Sequence, residues 1–178
     1  MISETFKNYF DDVKCSDELI TLFDYIENHL TKEVPTKAIN INHFVFASLT
    51  VKESYAYKRL YSCLRSIDML NAQEVLYRSL QKNSPTVPSN KIIYDAKLQE
   101  IFNKAKEEFK KYGHYNANGT ISSDYVLLAI LSDDANIMKE MFSRIGLTYN
   151  MLLEKVKSGN IIERNNDIEE DDLDEETE

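Results

Sequence analysis

The apolar residues of this chain write one helical pattern twice. Leu19, Leu22, Phe23, Ile26 and Leu30 follow the i, i+3, i+4, i+7 rhythm that puts side chains on one face of an α-helix. Leu98, Ile101, Phe102, Ala105 and Phe109 repeat it, each 79 positions later. Downstream, HFVFASL (His43 to Leu49) is answered by DYVLLAI (Asp124 to Ile130), now 81 positions apart. These two runs are apolar on nearly every side, which predicts a central helix buried all round in each copy. Such self-similarity predicts two copies of one supersecondary unit packed into a pseudo-symmetric domain. A duplicated helical module points to a surface that grips something, more than to one catalytic centre.

The remaining elements follow from caps and breakers. Residues 4–13 predict a short leading helix with Phe6, Tyr9, Phe10 and Val13 on one face. Ser16 reads as the N-cap of a helix to about Leu30, with Asp17 and Glu18 as solvated charges in its first turn. Lys52–Arg65 and Asp68–Gln81 complete the first copy, and KNSPTVPSNK (Lys82 to Lys91) is the linker. Asp95 caps the first helix of the second copy, which runs to about Tyr112, and Gly113 is expected in the left-handed position that ends it. Ser122 or Ser123 caps the next helix, Asn136–Ile145 forms a third, and Thr148 caps a last one to about Ser158. The predicted fold class is all-α: two four-helix repeats, about 16–81 and 94–158, in one domain over 1–160. Leu19, Phe23, Val45, Phe46, Leu64, Leu98, Phe102, Val126, Leu127 and Ile145 are its expected core.

Charge changes the picture only once it is located. The net charge is −9, yet ten acids and one base fall between Glu163 and Glu178. That leaves twenty of each sign in residues 1–162. The block of like charge is expected to be a disordered tail over 161–178. A neutral body without a basic stripe argues against nucleic acid as a partner. No apolar run approaches the ~18 residues of a membrane span, so no membrane is expected either. The start, MISETFKNYFDDVK, has no basic n-region leading into an apolar stretch, and Cys15 and Cys63 lack C-x-x-C spacing. A cytoplasmic protein with reduced thiols is the expectation. His29, His43 and His114 show no metal-ligand spacing, and no Gly-rich phosphate loop of the G-x-x-x-x-G-K-[ST] kind exists. Neither metal nor cofactor is expected, and catalysis has no recognisable residue set.

The second copy carries a resemblance. YDAKLQEIFNKAKEEFKKYGH (Tyr94 to His114) resembles the opening helix of the Clp amino-terminal repeat, which ends in Gly-His. DYVLLAIL (Asp124 to Leu131) is similar to that repeat's buried helix, with Asp124 where the family has glutamate. MFSRIGLTYNMLLEKV (Met141 to Val156) resembles its closing segment. The resemblance implies the N-terminal domain of a Clp-type AAA+ unfoldase of the branch with two ATPase modules. Such a domain docks protein substrates or adaptor proteins, sits on the AAA+ modules of its parent, and serves a Clp peptidase indirectly. The sequence fits either the excised domain of a longer protein or a free-standing helical regulator of a Clp machine.

Some family members hold phosphorylated arginine in each repeat, with a hydroxyl at the start of the first helix and a glutamate before the buried one. Carried onto this chain, the second copy offers Asp95 and Asp124, with Ser123 beside the latter, and the first offers Ser16 and His43. Two carboxylates near the starts of two helices would favour a cationic side chain of a peptide or adaptor. The second candidate surface is the tyrosine pair Tyr57 and Tyr61 on the third helix of the first copy, since tyrosine is enriched where proteins bind proteins.

Overall fold

The computed structural model describes residues 1–85, 91–115 and 119–159. The leading helix α1 (Glu4–Tyr9) is shorter than its apolar pattern suggested, although Phe10 beyond its end is still buried. The first repeat holds α2 (Asp17–Tyr25), a π turn (Ile26–Leu30), the single turn α3 (Thr31–Glu33), α4 (Ile41–Ser48), α5 (Tyr55–Cys63) and α6 (Ser66–Lys82). The second holds α7 (Ala96–Tyr112), α8 (Ser123–Ser132), α9 (Ile137–Arg144) and α10 (Tyr149–Lys157). The caps are chemical: Ser16, Asp95, Asn136 and Thr148 each accept a backbone N–H from the first turn of the helix they precede.

Two parallel single-residue bridges join the copies, and they do so reciprocally. Cys15, before α2, pairs with Ile121, before α8; Tyr94, before α7, pairs with Ile39, before α4. At the first bridge Ser16 donates to the Ile121 carbonyl and Ile121 donates to that of Lys14, both at 2.9 Å. At the second, Ile39 donates to Ile93 at 2.7 Å and Asp95 to Ile39 at 2.9 Å. Each copy therefore ties the entry of its first helix to the entry of the other copy's central helix, as an approximate two-fold requires. Among the described residues these bridges are the only extended pairing.

The core spans both copies. Leu19, Leu22, Phe23, Ile26 and Leu30 are fully buried, as are Leu98, Ile101, Phe102 and Ala105. From Ser123 to Leu131 every residue of α8 is buried, because α2, α5, α7, α9 and α10 all pack around it. Phe6 of the leader stacks on Phe23 (ring centroids 4.7 Å apart) and meets Phe102 edge-on at 5.9 Å, so it seals the seam between the two first helices.

Two expectations change on folding. Gly113 is not left-handed: with φ −65° and ψ −19° it continues the helix into a 3₁₀ turn. Its missing side chain matters for space, since a Cβ there would come within 2.6 Å of the Phe109 ring. Left-handed glycines follow α9 and α10, at Gly146 (φ 99°) and Gly159 (φ 79°). Ile145 is only half-buried, and the neighbouring Leu147 fills the core in its place. The linker residues 86–90 and the acidic tail lie outside the described residues.

Candidate functional site

The sequence pairs its candidate residues within each copy; the structure pairs them across copies. Because the bridges cross, Ser16 sits beside Ser123 and Asp124, and Asp95 sits beside Asn40 and the start of α4. Asp95 and Asp124 thus belong to different junctions, which corrects the expectation of one mouth formed by both.

At the first junction the centre is Glu18, read from sequence as a solvated charge and found half-buried. Its carboxylate accepts from the backbone N–H of Tyr55 (2.7 Å) and Ser123 (2.7 Å), which open α5 and α8. It also accepts from the Ser16 hydroxyl (2.6 Å) and the Ser123 hydroxyl (2.5 Å). The Ser123 oxygen in turn accepts from the N–H of Ala56 at 2.8 Å. One carboxylate therefore satisfies N–H groups at the starts of two helices that would otherwise be orphaned. Burial, and then the nearby Asp124 charge, push the Glu18 pKa up, and the hydrogen bonds from Ser123, Ser16 and Tyr55 oppose that shift.

Asp124 is not open to a ligand cation. It is 2% exposed, and the Arg59 guanidinium already holds it, Nε to Oδ2 at 3.0 Å, while the Ser122 hydroxyl donates to its other oxygen. Arg59 also donates to the Lys155 carbonyl at 2.8 Å, so it links α5 to both α8 and α10. The chain thus supplies its own guanidinium to the carboxylate and its own carboxylate to the helix starts. At this junction, where Ser16 of the first copy's candidate set meets Ser123 and Asp124 of the second's, both groups that would hold a phosphorylated arginine already have partners within the chain.

At the second junction Asp95 spends one oxygen on the N–H of Leu98 (2.9 Å) and lines an open recess with Lys37, Asn40 and Asn83. His43 is 1% exposed and completes a capping box with Asn40, its Nδ1 accepting from the Asn40 N–H at 2.9 Å. Burial pulls its pKa down to about 4, so at neutral pH it is uncharged and serves the fold. The unfolded chain takes up a proton below about pH 6.5 that the folded chain refuses until about pH 4. Stability present above pH 6.5 is therefore lost as the pH falls, by about 3 kcal/mol at pH 4, and not further below. His43→Gln keeps a capping-box acceptor without the titration. Urea melts at pH 7 and pH 4 should show a smaller loss for the variant by about that amount, and equal losses would refute the assignment.

Tyr57 and Tyr61 remain as a surface. Their rings lie nearly parallel, 6.0 Å between centroids, with Tyr57 half-buried and Tyr61 61% exposed. The next helix, α6, shows residues that sequence reasoning missed. Ile67, Leu70 and Val75 are 53–60% exposed, away from Met69, Ala72, Leu76 and Leu80, which face the core. Among the described residues no cluster of His, Cys, Asp or Glu is suited to a metal, and no helix is long and apolar enough to cross a membrane.

No protein-family model matches the sequence, and no curated protein does. Solved structures match by shape. The Hsp104 N-terminal domain from Candida albicans superimposes with a TM-score of 0.63 at 17% identity, over 83% of this chain and 93% of that one. The ClpV N-domain from Vibrio cholerae gives 0.63 at 12% identity, over 86% and 90%. A ClpV N-domain in complex with a VipB peptide gives 0.62 at 11% identity, over 86% and 92%. The chain has the all-α fold of the Clp-type N-terminal domains.

Proposed function

We propose that this chain, over residues 1–160, is a docking domain of a Clp-type AAA+ unfoldase, taking up protein substrates or adaptors in the cytoplasm for delivery to the ring and its peptidase. The observation that carries the reading is the pairing of this fold with large apolar side chains exposed on α5 and α6, namely Tyr61, Ile67, Leu70 and Val75. These side chains fit an apolar polypeptide segment, since exposed aromatic and aliphatic groups are what protein interfaces bury. The ClpV N-domain with its VipB peptide supports a polypeptide as partner. The polar junction does not compete for the role, because its charges are already spent on each other.

The test is a titration of fluorescently labelled unfolded casein against the wild type and Tyr61→Ser with Leu70→Ser. Both residues are exposed, so melting should hardly change, while affinity should fall about tenfold or more. Equal affinities would move the docking surface off α5 and α6.

A further inference from the structure

The two junctions have the same backbone pairing but different side chains, and the difference falls on one helix. The position of Glu18 corresponds in the second copy to Lys97, which is exposed and reaches Asp133 at 3.6 Å. Lys97 cannot supply the carboxylate that Glu18 sends to two helix starts. At the first junction four of the polar contacts end on α5. Its first N–H goes to Glu18, its second to the Ser123 hydroxyl, and its middle is tied by Arg59 to Asp124 and the Lys155 carbonyl. By chain order α5 belongs to the first repeat, yet these contacts bring it against α8 and α10 of the second. Tyr57 and Tyr61 ride on this helix.

We propose that Glu18 is a latch that positions α5, and with it the docking face, on the second repeat. The inference rests on the docking reading only for its functional half; the latch itself is a statement about local opening. Glu18 lies in the first turn of α2 and sends its carboxylate to the N-termini of α5 and α8, so it touches the helix that carries the face and not the exposed tyrosine. Removing the carboxylate leaves the N–H groups of Tyr55 and Ser123 without their acceptor, and α5 then opens locally while the remaining core holds.

The experiment follows amide hydrogen exchange in the wild type, Glu18→Ala and Glu18→Gln, in sodium acetate and in sodium chloride at equal ionic strength. In Glu18→Ala the amides of Tyr55, Ala56 and Ser123 should exchange about tenfold faster, while those of Ile39 and Asp95 at the other junction stay unchanged. Acetate should slow the three amides again by filling the vacated space, and should do nothing for Glu18→Gln, whose side chain still fills it. Acceleration at both junctions alike, or at neither, overturns the latch. Should Glu18→Ala fold only in acetate, that supports it; should it fold in neither salt, the local-against-distant comparison in Glu18→Gln decides. Casein affinity of Glu18→Ala should fall roughly threefold or more, an effect without direct contact. Local opening with unchanged casein affinity upholds the latch and overturns its functional half, taking the docking face off α5.

Discussion

Arg59→Ala is expected to destabilise the protein by about 3–5 kcal/mol, because it strips a buried carboxylate of its counter-charge. Asp124 is 2% exposed and Arg59 6% exposed, so water cannot replace either partner. The guanidinium also spans from α8 to the Lys155 carbonyl of α10, so its loss uncouples two contacts at once. Asp124→Ala should cost a similar amount for the mirror reason, since a buried guanidinium loses its carboxylate. The double replacement Arg59→Met with Asp124→Leu should recover most of the loss, since apolar groups of similar volume need no compensating charge. Urea unfolding followed by far-ultraviolet circular dichroism measures the wild type, both single replacements and the double one. A single-mutant loss under about 1 kcal/mol would mean that the pair is solvated and that Asp124 is open to a ligand after all.

The second large effect is at Phe102. Phe102→Ala should cost about 3–5 kcal/mol, as for other fully buried phenylalanines. The ring has no exposed area and meets Phe6 and Phe10 of the leader, Phe23 of the first repeat and Tyr94 of the second, with centroids 5.0–5.9 Å away. A cavity there loosens three segments together. Phe6→Ala should therefore couple with it by about 0.5–3 kcal/mol instead of adding independently. Unfolding should remain one transition, because the same core cluster includes residues of both copies. Two separate transitions in the wild type would show that the repeats fold as independent units.

Much of the fold was legible in the chain. Helix period located the faces of α2 and α7, caps such as Ser16 and Thr148 located starts, and unbroken apolar runs identified α4 and α8 as buried helices. These are local properties, set by the 3.6-residue repeat and by backbone groups that need a nearby acceptor. Arg59 left one trace that could have been followed: it lies on the same helical stripe as Ala56, Leu60 and Cys63, a charge on an apolar face. Glu18 left none, since an acid in the first turn of a helix is ordinarily solvated.

The partners were decided only by tertiary structure. Period tells which side of a helix is turned inward but not which helix lies opposite, and here the crossing of the two bridges set Ser16 against Ser123 and Asp95 against the start of α4. The carboxylate of Asp124 meets a guanidinium 65 residues away, and that of Glu18 meets an N–H 105 residues away. Whether a charge is free for a ligand or already neutralised depends on what packing brings within about 3 Å of it. Sequence determined that this chain is a duplicated bundle of helices. Tertiary structure determined that its carboxylates at the first junction tie helices of both copies together, because only the packed chain brings the opposing donors to them.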